Sequence, residues 1–172
     1  MRIALTGTPG TGKTTVSRAL RERYGLTIID VNEIVRAHHY VDAFDDRRNC
    51  LIVNLTALRA HRFQRNSILE GHLSHHLDVD RVIVLRTDPT TLERRLLCRG
   101  FSHEKAKENV EAEILDVILI EAIALHDDRV YELDSTGALD DTAQRAWEIT
   151  QGQNLQRFVP GHIDWAARYY DA

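Results

Sequence analysis

The sequence predicts an α/β fold, a parallel sheet wound on both faces by helices, and three observations lead there. Short apolar runs of strand length alternate along the chain with longer stretches of helical periodicity. A glycine-rich segment stands between the first apolar run and the first helical stripe, in the order strand, loop, helix. With 172 residues and 43% hydrophobic content, the chain can bury one substantial core, and a single domain over residues 1–172 is expected.

Arg2-Ile3-Ala4-Leu5 is the first run, apolar enough for a parallel strand buried on both faces. Val16, Ala19, Leu20 and Tyr24 then line one side of a helix, which Gly25 stops. Thr27–Asp30 reads as a second strand, and residues 31–65 as a polar, mostly helical stretch. Ser67–Glu70, residues 81–85 and residues 130–133 supply the third, fourth and fifth strands. Asp88-Pro89 combines an N-cap carboxylate with proline at the first helical position and opens a helix to about Cys98. Ser102 caps a long helix in which Ala106, Val110, Ile114, Val117 and Ile118 share a face. Residues 151–172 form a tail ending in an aromatic cluster of Trp165, Tyr169 and Tyr170.

The segment Thr6-Gly7-Thr8-Pro9-Gly10-Thr11-Gly12-Lys13-Thr14-Thr15 contains G-x-x-x-x-G-K-S/T from Gly7 to Thr14. This is the pattern of a loop that wraps a phosphate in backbone N–H groups, where a Cβ would block close approach. Gly10, Gly12, Lys13, Thr14 and Thr15 are therefore expected to cradle a nucleoside triphosphate. Lys13 places its charge on the β- and γ-phosphates, and the Thr14 hydroxyl is a ligand for Mg²⁺. A dinucleotide fingerprint is excluded by spacing, because the glycines read G-x-x-G-x-G.

Composition narrows the remaining classes. A net charge of −4 gives no reason for broad electrostatic binding to nucleic acid. Lys13, Lys105 and Lys107 are the only lysines, so arginines supply the other candidate phosphate ligands. Cys50 and Cys98 are too few for a disulfide framework, which argues a reduced, cytoplasmic setting. No apolar stretch is long enough to span a membrane, and Met1 leads straight into the first strand, leaving no room for a signal peptide.

Three further features attach to the phosphate loop. Arg95 and Arg99 stand four apart on a predicted helix, and a lid closing Arg99 over the triphosphate suits a reaction that needs charge neutralised. Glu70 ends the third strand, where phosphate-loop proteins hold Mg²⁺ through water, so Thr14 and Glu70 form the expected metal pair. His72 follows two residues later, aimed towards the γ-phosphate. His72, His75 and His76 also invite a zinc reading, but no cysteine or carboxylate set with ligand spacing accompanies them.

Taken together these stretches resemble the adenylate kinase six, or coilin-interacting nuclear ATPase, family, specifically its archaeal adenylate kinase branch. The resemblance covers about the first 140 residues. It rests on the phosphate loop, on Glu70-Gly71-His72-Leu73-Ser74-His75, on Val84-Leu85-Arg86-Thr87-Asp88, on Arg99-Gly100-Phe101 with Lys105, and on Glu108-Asn109-Val110-Glu111-Ala112-Glu113. It implies a phosphate-loop NTPase fold of nucleoside-monophosphate-kinase type, with a five-stranded parallel sheet in the order 2-3-1-4-5. Residues 30–54 would be a monophosphate-binding insertion and residues 98–108 a short lid.

The implied activity is ATP + AMP = 2 ADP, with Mg²⁺ as cofactor and an accompanying ATPase. Lys13, His72 and Arg99 would be the catalytic residues. The resemblance also implies a role in small ribosomal subunit maturation through a platform ribosomal protein. Common adenylate kinases follow the third strand with D-G-F-P-R, whose arginine grips the AMP phosphate. Here Glu70, Gly71, His72, Leu73 and Ser74 fill those slots, so Arg36 and Arg86 become the monophosphate candidates. The rival expectation is an ATPase assembly factor whose hydrolysis releases a ribosomal protein partner, with His72 orienting the attacking water.

Overall fold

The computed structural model describes residues 1–45 and 50–170. In chain order its elements begin β1 (Arg2–Thr6), α1 (Lys13–Tyr24), β2 (Thr27–Asp30), α2 (Val31–Ala37), β3 (Val41–Asp45), β4 (Cys50–Val53), α3 (Leu55–Ala60) and β5 (Ser67–Glu70). They continue β6 (Arg81–Arg86), α4 (Pro89–Cys98), α5 (His103–Ile114), α6 (Val117–His126), β7 (Val130–Asp134), α7 (Leu139–Gln151) and α8 (Trp165–Tyr170). Short 3₁₀ turns occupy Ser74–His76, Asp127–Arg129 and Leu155–Phe158.

The main sheet is parallel and runs β2-β5-β1-β6-β7. Counted among its own strands that is 2-3-1-4-5, the expected order. Residues alternate between its two faces, as the pleat requires. On one side Ile3, Leu5, Ile83 and Leu85 pack with Val16 and Leu20 of α1 and Ala146 and Ile149 of α7. On the other, Ala4, Leu69, Val82 and Val84 pack with Val35 of α2, Leu58 of α3 and Leu119 and Ala122 of α6. Leu5, Leu69 and Ile83 have no exposed surface, and each contributes about 1.5–3 kcal/mol by burial. This two-sided burial is why β1, β5 and β6 read as continuous apolar runs.

The helix signals act as their chemistry requires. Gly25 takes φ +66° and donates its N–H to the Arg21 carbonyl. Asp88 accepts from the Thr91 N–H at 2.9 Å, and Ser102 accepts from the Lys105 N–H at 3.2 Å.

Two expectations are corrected. The stretch 31–65 is not mostly helical, because β3 and β4 form an antiparallel hairpin between α2 and α3. His39, at φ +53°, turns the chain out of α2 into a β-prone run that ends in Phe44, and Cys50–Val53 returns along it. The long helix after Ser102 is two helices. Asp116 takes φ +56°, a left-handed conformation that aspartate tolerates, and its carboxylate is held by Arg86. The aromatic tail joins the core. Trp165, 2% exposed, packs with Leu92 and Leu96 of α4 and with Val110 and Ile114 of α5. Residues 46–49 of the expected insertion and 171–172 of the tail lie outside the described residues.

Candidate active site

The carboxyl ends of the parallel strands carry the site, as they do in open α/β sheets. β1 stops at Thr6, and the loop 7–12 delivers the chain to the first residue of α1, Lys13. Gly7, at φ +140°, could not carry a Cβ, which would meet the Leu85 carbonyl oxygen at 2.5 Å. Gly12, at φ +94°, is different, since nothing lies within 4 Å of where its Cβ would stand. Open space at a helix N-terminus is suited to receiving a phosphate. Lys13 is buried, and its Nζ donates to the carbonyls of Gly7 at 2.8 Å and Thr8 at 3.0 Å. Burial lowers its pKa to about 8, against the opposing pull of Glu70 and Glu113, so it stays largely charged at neutral pH.

Glu70 ends β5 beside the loop, paired in register with Leu5 of β1 and Asp30 of β2. The Thr14 hydroxyl lies 3.4 Å from Glu70 Oε1, so the structure brings the expected metal pair together. Burial and the neighbouring Asp30 carboxylate raise the Glu70 pKa, while Lys13 and Thr14 oppose the rise. A carboxylate that is costly to charge in isolation, with a hydroxyl alongside, suits a hard oxygen-seeking cation such as Mg²⁺. Asp30 is a member of this acidic edge that sequence reasoning missed. Its Oδ1 also caps α2 through the N–H groups of Asn32 and Glu33.

His72 follows on the loop leaving β5. The residue is exposed, yet desolvation by the atoms packed about it, with the charges of Lys13 and His76, lowers its pKa to about 4. A neutral imidazole next to Lys13 is equipped to orient water, and less so to grip a phosphate as a cation.

On the opposite side of the loop lies a cavity of about 260 Å³, lined by Gly10, Gly12, Thr15, Arg95, Arg99 and Ser135, among others. Arg99 caps α4 and is exposed at its rim. Arg95, outside the expected site set, is a wall of this cavity. Its guanidinium donates to the carbonyls of Ser135 at 3.1 Å and Thr136 at 3.2 Å, bracing the loop after β7. If Arg99 completes the site only when the lid segment closes, Arg99→Ala should lower saturated turnover by tenfold or more, the scale of one electrostatic contact, while ATP affinity changes less. Steady-state kinetics with equilibrium ATP binding checks this; lost affinity at unchanged turnover would contradict it.

The two monophosphate candidates part company. Arg36 is exposed on the last turn of α2 and open to a ligand. Arg86 is 1% exposed, with its guanidinium paired to Glu113 at 2.9 Å, Glu132 at 3.5 Å and Asp116. Three acidic partners leave it no face for a substrate phosphate, so the expectation for Arg86 is corrected to a structural role. The same network reveals Glu113, which sequence reasoning missed. Glu113 Oε2 accepts from the Thr8 hydroxyl at 2.5 Å and Oε1 from the Thr87 N–H at 3.0 Å, tying α5 to the phosphate loop.

Comparisons with known proteins agree with this architecture. The family model described as an AAA domain matches residues 3–116. A protein of Archaeoglobus fulgidus named "Putative adenylate kinase" is 42% identical over 174 residues, covering 99% of this chain and 95% of that protein. Proteins of the same name are 37% identical in Methanocaldococcus jannaschii, over 99% of this chain and 96% of that protein, and 44% identical in Natronomonas pharaonis, over 86% and 88%. Among solved structures, shikimate kinase from Bacteroides thetaiotaomicron superposes with a TM-score of 0.50 at 17% identity, over 88% of this chain and 98% of that one. That likeness concerns the fold.

Proposed function

The chain belongs to the family of archaeal proteins named "Putative adenylate kinase", and from that premise we propose that it transfers the γ-phosphoryl group of ATP to AMP or a related monophosphate. One observation carries the reading. The phosphate loop has a cavity lined by Arg95 and Arg99 on one side, and the Asp30, Glu70 and His72 edge on the other. A donor nucleoside and an acceptor can thus meet at Lys13 from opposite directions.

In this reading the N–H groups of the loop and the Lys13 ammonium hold the β- and γ-phosphates in line with the acceptor. Thr14 and Glu70 would hold Mg²⁺, which would supply neutralisation of the charge on the phosphates. A phosphate oxygen of AMP attacks the γ-phosphorus, the bond to the β-γ bridging oxygen breaks, and two ADP leave. Positioning and electrostatics provide most of the acceleration, so no general base is assigned. Arg36 is the remaining candidate for the AMP phosphate. No helix among the described residues is long and apolar enough to cross a membrane, and a cytoplasmic location is part of the proposal.

A second reading has its own support. The slots after β5 lack a phosphate-gripping arginine, Arg86 is committed elsewhere, and His72 is neutral. These features favour water as an acceptor; the resemblance alone adds that such an ATPase would act in small ribosomal subunit assembly, with a platform ribosomal protein as partner. The two readings separate when ADP and free phosphate are measured with and without each monophosphate. Transfer predicts that AMP doubles the ADP yield per ATP consumed without adding phosphate. Phosphate release indifferent to AMP would favour hydrolysis. In the same assay His72→Ala should depress phosphate release from ATP alone by roughly tenfold or more, within the range for positioned catalytic side chains, and spare transfer to AMP. Normal hydrolysis in that variant would remove His72 as the water-orienting group.

A further inference from the structure

We propose that His75, His76 and Glu121 form a binding site for a borderline divalent cation such as Zn²⁺, joining the 3₁₀ turn after β5 to α6. The site lies outside the phosphate-binding machinery and does not depend on the reaction assigned above. One ligand atom from each residue lies within 4.8 Å of the others. His75 Nε2 stands 3.1 Å from Glu121 Oε2, and His76 Nε2 stands 3.9 Å from the same oxygen. Two imidazoles and one carboxylate make a donor set that suits Zn²⁺, Co²⁺ or Ni²⁺ and leaves a position for water. Mg²⁺, which seeks oxygen, is poorly matched.

His76 makes the case for a ligand. Its side chain is 15% exposed, its Nδ1 is buried without a hydrogen-bond partner among the described residues, and its Nε2 is beyond hydrogen-bond reach of Glu121. A buried ring nitrogen seldom goes without a polar partner. His75 adds to it, being 1% exposed with Nδ1 3.0 Å from the Thr6 hydroxyl. When that hydroxyl donates to the His72 carbonyl at 3.2 Å, it accepts from His75 Nδ1–H. The neutral ring then presents a bare Nε2 to the Glu121 carboxylate, lone pair towards lone pair, and a cation between them resolves the conflict. Metal-bound histidines commonly donate their second ring N–H to an oxygen acceptor, and the Thr6 hydroxyl is placed to be one here.

The scaffold is built before any ion arrives. The His75 carbonyl accepts from His126 Nε2 at 2.6 Å, and the Ser74 hydroxyl donates to the Leu5 carbonyl at 3.2 Å and the Gly71 carbonyl at 2.9 Å. The His75 and His76 rings are 4.1 Å apart by centroid. Burial lowers the pKa of both imidazoles, the direction that favours their neutral, lone-pair-bearing form. Arg59 donates to the His76 carbonyl at 3.0 Å, and among the described residues it and His126 oppose a positive charge on His76.

The test uses the full chain, stripped with a chelator and titrated with Zn²⁺ or Co²⁺ in excess Mg²⁺ without nucleotide. One equivalent should bind, and Co²⁺ should develop the visible bands of a low-coordinate site. His76→Ala and Glu121→Gln should each weaken Zn²⁺ binding by at least about tenfold, more than the loss of an outer contact, and abolish the Co²⁺ bands. Glu121 is about half exposed on α6, so Glu121→Gln should fold, which circular dichroism and melting verify. His162→Gln, exposed and remote in sequence, should bind as the unmodified chain does. The proposal is overturned if no equivalent of Zn²⁺ binds, if binding survives both substitutions, or if it is lost in Glu70→Gln but retained in Glu121→Gln.

Discussion

Lys13→Ala should lower saturated turnover by roughly a hundredfold to a thousandfold, the cost of removing one preorganised electrostatic donor from a water-excluded site. The size follows from where Lys13 sits. Its ammonium is buried at the first residue of α1, beside the open space in front of Gly12. Glu70 and Glu113 help to keep it charged although burial lowers its pKa to about 8. A charge held in such surroundings acts far more strongly on a transferring phosphoryl group than one in bulk water. The truncated side chain also leaves the Gly7 and Thr8 carbonyls without their Nζ donor, so the melting curve should be recorded alongside. Steady-state ADP formation at saturating ATP and AMP checks the expectation. Turnover near the unmodified level in a folded Lys13→Ala protein would remove the phosphate loop from the mechanism, and both functional readings with it.

Arg86→Met should produce the largest loss of stability, about 3–5 kcal/mol, because it strands carboxylates that the fold has already desolvated. Glu113 and Glu132 are 2% and 3% exposed, and both face the Arg86 guanidinium. For a chain of this size the thermal midpoint should fall on the order of 10 °C. The damage should spread along the network rather than stay local. Glu132 Oε1 also accepts the N–H groups of Gly161, His162 and Ile163, anchoring the tail, while Glu113 reaches Thr8 in the phosphate loop. Thermal melts with kinetics at varied AMP distinguish this role from substrate binding. A variant of normal stability with a selectively raised AMP Michaelis constant would return Arg86 to the monophosphate site.

The phosphate loop was legible because its determinants are contiguous. Strand, glycines, Lys13, Thr14 and the helix that presents them lie within one stretch, where backbone geometry alone sets their relation. The position of Glu70 was legible for a related reason: the end of a buried strand beside β1 lies next to the loop. Arg86 ends a strand in the same way and reads in sequence as another ligand. Its partners Glu113, Asp116 and Glu132 are 27, 30 and 46 residues away in sequence, and nothing local signals them. Arg95 was read as a member of an arginine-rich helix face, but its grip on the loop after β7 required α4 and β7 to be placed.

What the sequence determined by itself is the order of the five parallel strands, the caps of α1, α4 and α5, and the strand-loop-helix frame at Gly7 to Thr14. These follow from period, turn chemistry and residue type over a few positions, which act before any distant contact forms. The hairpin β3–β4 escaped because two short strands owe their pairing to each other rather than to local periodicity. The histidines after Glu70 show the same boundary most clearly. Read along the chain they lack a carboxylate at ligand spacing, yet the packing of α6 against the turn sets Glu121 3.1 Å from His75 across 46 residues. Only tertiary structure decides such encounters, because a side chain's polar partner is chosen by which layers the core brings together.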